Sequence, residues 1–226
     1  MTYTGSKRRI AREILPIILA GRKKSQYFVD LFCGGCNIVD KVPGLRIAND
    51  YNYYLIAMWK ALISGWQPPD YISEKEYYKI KNCNSVYPDH LVGFAGFACS
   101  FGALFFNSYA RGNCKNYCKA SKNNLIKQVP GLLGVEFKNT RYLSCNIPKN
   151  SIIYCDPPYR STAKYVCRIN YNVFYNWCIK QQKHGHSVYI SEYYMPSKFF
   201  NCVWEKEIRC GIQRAGNRLE KLWVPK

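Results

Sequence analysis

Four consecutive residues, Asp156-Pro157-Pro158-Tyr159, carry the most specific chemistry in this sequence. They follow the apolar run Ile152-Ile153-Tyr154-Cys155, and Ser151 to Cys155 reads as a strand. Two successive prolines donate no backbone hydrogen bond and hold an extended bend, so their carbonyls point in set directions. A carboxylate and a rigid carbonyl, each accepting one N–H, pull a planar amine toward tetrahedral geometry. That localises its lone pair for attack on a methyl group. Tyr159 adds an aromatic face on which a base can stack.

A second site lies upstream. Asp30-Leu31-Phe32-Cys33-Gly34-Gly35 ends the β-prone run Gln26 to Phe32 in a glycine turn, where a backbone can approach a nucleotide-like ligand closely. Asp50 follows the next short strand, Leu45 to Asn49. A carboxylate there can accept hydrogen bonds from both ribose hydroxyls. The turn is not Gly-x-Gly-x-x-Gly, which disfavours a nicotinamide dinucleotide and leaves another adenosine-containing ligand. A third site is the stretch from Asn107 to Lys127, where Arg111, Lys115, Lys119, Lys122 and Lys127 interleave with Tyr109 and Tyr117. Cations there suit phosphates, and aromatics suit the gap left by an extruded base. Arg160, Lys164, Tyr165 and Arg168 follow the proline motif and would form a loop over a flipped nucleotide.

Composition narrows the partner. The chain has 226 residues, is 48% hydrophobic, and carries 33 Lys and Arg against 14 Asp and Glu, a net charge of +19. It is expected to be one globular domain, with room for an inserted lobe. The excess of positive charge favours a polyanion, nucleic acid first. No apolar run is long enough to span a membrane; the best, Ile14 to Ala20, is broken by Pro16. The early basic residues Lys7, Arg8, Arg9 and Arg12 are not followed by the apolar core of a signal peptide, so a cytoplasmic location is expected. The twelve cysteines are scattered, several in apolar runs (Cys99, Cys155, Cys202), as for buried thiols in a reducing compartment. Cys33-Gly-Gly-Cys36 and Cys114-x-x-x-Cys118 lack the partner pair that a structural zinc site requires, so no metal is expected.

These sites need a scaffold. Helical spacing marks Arg8 to Ala20, Asn52 to Ser64, Ser73 to Lys81 and Asn170 to His184, and Asn37 to Val42 reads as a helix start. Further strands are expected at Val135 to Leu143, Ser187 to Ser191, Val203 to Ile208 and Leu222 to Val224. Alternating strands and helices indicate an α/β fold with a largely parallel sheet. Residues 66–134 interrupt the alternation with mostly helical, basic material, and His90 to Val135 contains no Asp or Glu.

The motifs and their order resemble the Dam-like family of adenine-N6 DNA methyltransferases of the Asp-Pro-Pro-Tyr type. The resemblance rests on Tyr3-Thr4-Gly5-Ser6-Lys7, Asp30 to Gly35, Asp50, Asp156 to Tyr159, Ser191-Glu192-Tyr193 and the ending Asn217 to Trp223. It implies a Rossmann-like, seven-stranded mixed sheet of the class I methyltransferases. Residues 1–65 and 135–226 would form the catalytic domain, and 66–134 an inserted, mostly helical target-recognition lobe. S-adenosyl-L-methionine would lie against Tyr3, Gly5, Lys7, Asp30, Phe32, Cys33, Gly34, Asp50 and Asp156. Asp156 and the carbonyl of Pro157, backed by Pro158, would hold the target N6, and Tyr159 would stack on the flipped adenine. Asn107, Tyr109, Arg111, Lys115, Lys119, Lys122 and Lys127 would meet the DNA. Two positions depart from the family pattern: Cys36 stands where a second spaced glycine is frequent, and Ser108 where glycine is common. The alternatives are an RNA adenine methyltransferase and a catalytically silent nucleic-acid binder of the same fold. A protein-glutamine methyltransferase usually opens its motif with Asn and has no use for +19.

Overall fold

The computed structural model describes residues 1–112, 116–159, 169–208 and 218–226. Seven strands form one mixed sheet: β1 (Phe28–Asp30), β2 (Arg46–Asn49), β3 (Val135–Lys138), β4 (Ile152–Cys155), β5 (Ser187–Ser191), β6 (Phe200–Ile208) and β7 (Arg218–Pro225). Their order is β3-β2-β1-β4-β5-β7-β6. The first five are parallel, and β7 pairs antiparallel with both β5 and β6. This is the class I methyltransferase architecture that the motifs imply. The strand order runs outward in both directions from the β1–β4 pair, so that pair is the topological switch point, where α/β sheets open a crevice at their carboxyl ends.

Alternate residues of the strands feed two cores. Phe28, Ala48, Ile152 and Tyr154 pack on one face with α1 (Ala11–Ile18), α2 (Tyr53–Ile63) and α5 (Tyr117–Leu132). Val29, Ile47, Ile153, Val188 and Ile190 pack on the other with Phe174 and Cys178 of α6 (Tyr171–Lys183). Burial on both faces explains why the parallel strands read as apolar runs. Asn52, Asn116 and Asn170 cap α2, α5 and α6 by accepting from the backbone of Leu55, Lys119 and Val173.

Some expected elements changed extent. Arg8 to Ala20 divides into a 3-10 turn at Lys7–Arg9 and the shorter helix α1. The helix start at Asn37 to Val42 is a single 3-10 turn, Val39–Lys41. β3 stops at Lys138, because the Asn49 side chain then takes over the chain, accepting from the backbone and hydroxyl of Thr140. The closing strands are longer than expected, since β6 and β7 pair mainly with each other and need little apolar sequence. Cys202 is exposed, against expectation, because β6 is an edge strand.

Residues 66–134 fill the crossover from β2 to β3. They contain α3 (Glu74–Asn82), α4 (Asp89–Gly93), a π-helical turn at Phe94–Ala98, and α5. Val92, Phe94, Tyr77 and Leu125 belong to the same buried cluster as Phe28 and Ala48, so this stretch shares the core of the sheet domain.

Candidate active site

Asp30 ends β1, and Asp156 lies two residues past Tyr154, its register partner in β4. Both carboxylates therefore stand at the switch point. Asp50 follows β2 beside them and ties the glycine turn down: its Oδ2 accepts from the Gly34 amide at 3.0 Å and its Oδ1 from the Asn52 amide at 2.9 Å. Each oxygen keeps a second lone pair for a ligand. Gly34 adopts φ +44°, and a Cβ there would lie 2.6 Å from the ring of Tyr3; at Gly35 it would lie 2.7 Å from the Tyr3 Cβ. The glycines are thus required twice, for backbone conformation and for the seat of Tyr3. Trp59 of α2 and Gln128 of α5 donate to the carbonyls of Gly34 and Gly35 at 3.0 and 2.9 Å. Cys36, in place of glycine, has φ +54°. Its conformation is the one glycine would favour.

Lys7 connects this turn to the proline motif. Its Nζ lies 2.9 Å from Asp156 Oδ1 and 3.8 Å from Glu220 Oε2, donates to the Gly5 carbonyl at 2.9 Å, and sits 4.5 Å from the Tyr159 ring centroid. Burial pushes Asp156 up to about 6, even though Lys7 pulls it down. Burial also works against the Lys7 ammonium, but Asp156 and Glu220 outweigh it and hold Lys7 above its usual value. Asp30 is 2% exposed, and among the described residues its Oδ1 has no hydrogen-bond partner. Burial, then the charge of Asp156, raises it well above the ordinary carboxylate range. Burial likewise raises Asp50. In a protein of net charge +19, three strained carboxylates converge on one crevice. Such a site favours a ligand that brings positive charge.

The half of the crevice at Pro158 and Tyr159 is braced from behind. Tyr159 donates its hydroxyl to Glu220 Oε2 at 3.0 Å, and its ring meets Tyr193 edge-on at 4.4 Å. The Tyr171 hydroxyl lies 2.7 Å from the Pro158 carbonyl and 2.6 Å from Glu192 Oε2. Glu192 is buried, and its Oε1 accepts from the Tyr193 amide. The Pro157 carbonyl follows the Asp156 carboxylate directly in the chain, so the two acceptors that amine activation requires adjoin here.

The family described as D12 class N6 adenine-specific DNA methyltransferase matches residues 3–201. The chain belongs to this family. Among solved structures, SMU.472 complexed with SAH aligns at 12% identity over 97% of this chain and 53% of its own, with a TM-score of 0.39. The present chain thus spans about half the length of that protein.

Within this family member, the sequence-nominated residues divide. Tyr3, Gly5, Lys7, Asp30, Cys33, Gly34, Asp50 and Asp156 to Tyr159 gather around the crevice. Phe32 is at the turn, but its ring packs toward Tyr142 and Phe174, at 5.6 and 6.1 Å. Among the described nucleic-acid candidates, three cations stand near carboxylates. Arg111 pairs with Glu74, and Lys122 and Lys119 approach Asp70 at 2.8 and 3.8 Å. The Tyr109 hydroxyl donates to the Ile72 carbonyl at 2.7 Å, and its ring packs on Tyr77. These residues hold the inserted stretch together. Asn107 and Lys127 are exposed. Lys115, Arg160, Lys164, Tyr165, Arg168 and Asn217 lie outside the described residues. Ser108 is not left-handed, so its backbone does not call for glycine.

Four residues with no assigned role in the sequence enter the site. Glu192 and Glu220 lay in segments noted only for their resemblance, and Tyr171 had no signal beyond its place at a helix start. Phe101 is 66% exposed on a turn formed by Gly102 at φ +69° and Ala103 at φ +52°. The Gly102 carbonyl accepts from the Thr4 hydroxyl, which tethers the turn to the segment bearing Lys7.

Proposed function

We propose that this chain transfers a methyl group from S-adenosyl-L-methionine to N6 of adenine in DNA, with the adenine rotated out of the duplex. The observation that carries the reading is the half-buried Asp156 carboxylate, held by Lys7 at 2.9 Å, with the Pro157 carbonyl next to it in the chain and the Tyr159 ring beyond. Asp30, Asp50 and the Gly34 turn, with Tyr3, Gly5, Phe32 and Cys33 around it, would hold the cofactor. The orphaned Asp30 Oδ1 and the acid-rich crevice fit a ligand bearing ammonium and sulfonium charges. When bound, that cofactor supplies an electrophilic methyl group.

The protein's own residues do the rest. Asp156 accepts one N6–H, the Pro157 carbonyl accepts the other, and the lone pair becomes available for attack. Tyr159, held by Glu220 and Tyr193, supplies the stacking face. Tyr171 and Glu192 keep the proline bend from relaxing. Lys7 keeps Asp156 ionised near neutral pH. With its value near 6, Asp156 is basic enough to take the proton that the amine sheds.

Residues 66–134 would act as the recognition lobe on DNA. Phe101, exposed beside the pocket, suits the gap left by the flipped base better than the anchored Tyr109. The test is transfer of labelled methyl from S-adenosyl-L-methionine to unmethylated duplex DNA and to a matched RNA, with digestion to nucleosides. N6-methyladenine in DNA, absent with Asp156→Ala, is the expected product. Label in another nucleoside, or only in RNA, refutes the reading.

A further inference from the structure

Arg8 and Arg9 directly follow Lys7, Arg12 comes three residues later, and all three are exposed. Lys7 is buried with its Nζ 2.9 Å from Asp156, and Arg8 is the next residue, its Cα about 3.8 Å from that of Lys7, so it stands one long side chain away from the pocket. α1 then runs back along the sheet, packing Ala11, Ile14, Leu15 and Ile18 inward and leaving Arg12 and Pro16 outside. Arg8, on the 3-10 turn Lys7–Arg9, and Arg12, in the first turn of α1, are therefore both turned to solvent within one short N-terminal segment. Neither forms an ion pair among the described residues. The neighbouring Glu13 is engaged by Lys206 instead. This contrasts with Arg111, Lys119 and Lys122, whose charge is met by Glu74 and Asp70.

Two like charges this near in the chain, with no acid between them, repel each other. An anion lying across both reverses the sign of that interaction. Guanidinium groups match phosphate geometry in particular. We infer that Arg8 and Arg12 form a phosphodiester-binding stripe that grips the DNA backbone next to the flipped nucleotide. The inference rests on the proposed activity, since it assumes a polynucleotide at the pocket mouth. It adds the N-terminal turn to the inserted lobe as a backbone contact.

The test compares the wild type, an Arg8→Gln/Arg12→Gln variant and a Lys23→Gln/Lys24→Gln variant. Lys23 and Lys24 are exposed just before β1, at the opposite edge of the sheet, so the control removes equal charge far from the pocket. Binding to an unmethylated duplex is measured by fluorescence anisotropy across a salt series, with thermal melts confirming folding. Each phosphate contact contributes a slope of about −0.9 to the log–log salt dependence. The arginine variant should lose roughly one to two units of slope and bind on the order of tenfold more weakly near 0.1 M salt. Its kcat at saturating DNA should be unchanged. The lysine control should keep the wild-type slope, and Arg8→Lys/Arg12→Lys should retain most of it. An unchanged slope in the arginine variant, or an equal loss in the lysine control, overturns the stripe while the activity stands. A wild type that neither binds nor methylates DNA overturns the proposed activity, and the stripe with it.

Discussion

Replacing Lys7 with methionine should move the pH optimum rather than simply lower activity. Asp156 is raised to about 6 by burial, and Lys7, at 2.9 Å, is the largest influence acting the other way. At about pH 7 some nine-tenths of Asp156 is ionised in the wild type, and at pH 5 roughly a tenth, so the rate should fall about tenfold between them. A cation at this distance typically lowers a carboxylate by about 1–3 units. Its removal should therefore carry the midpoint to roughly pH 7–9, with a loss of about tenfold at pH 7 that largely recovers by pH 9. Glu220, which also raises Asp156, and the Tyr159 hydroxyl, which lowers it, remain in place. The assay is single-turnover methyl transfer to duplex DNA from pH 5 to 9, with cofactor saturation verified calorimetrically at each pH. A variant midpoint still near 6, or activity equally low at every pH, would refute the claim that Lys7 acts through the ionisation of Asp156. The stability consequence has its own sign. The folded value of Asp156 lies above its ordinary 3.8, so its ionisation destabilises the fold as pH rises through roughly 4–6. Lys7, held above its usual value, contributes stability that is lost only at strongly alkaline pH.

Other outcomes follow from the same geometry. Gly34→Ala combines a left-handed φ with a Cβ 2.6 Å from the Tyr3 ring. Strain alone should cost roughly 1–2 kcal/mol, and calorimetry should show weakened S-adenosyl-L-methionine binding; unchanged affinity would show that the turn does not seat the cofactor. Asp156→Ala should abolish turnover while cofactor binding partly survives, whereas Asp50→Ala should weaken the cofactor itself; titrations of the two variants distinguish these roles. Tyr171→Phe removes the hydroxyl from the Pro158 carbonyl and should lower kcat by roughly tenfold, about one hydrogen bond's worth of positioning, with little change in cofactor affinity. Phe101→Ala should diminish the fluorescence rise of 2-aminopurine placed at the target position, and Phe101→Trp should restore it; an unchanged signal would remove Phe101 from base extrusion.

Local chemistry was legible wherever a short segment carries it. The proline bend, the glycine turn and its acids announce themselves because backbone conformation at those residues depends on their own types and immediate neighbours. The parallel strands were legible too, since burial on both faces leaves apolar runs. The alternation of strands and helices therefore determined the α/β class and the carboxyl-edge location of Asp30, Asp50 and Asp156. The tertiary structure decided which charges are available. The resemblance placed Lys7 by the cofactor, but only the fold buries it between Asp156 and Glu220, 149 and 213 positions further along the chain. Arg111, Lys119 and Lys122 read as an open cationic face until Glu74 and Asp70, from an earlier helix and loop, are folded against them. Arg8 and Arg12 are left to solvent. Charge is counted along a chain, but its effect depends on distance and burial, and only the packed structure sets those.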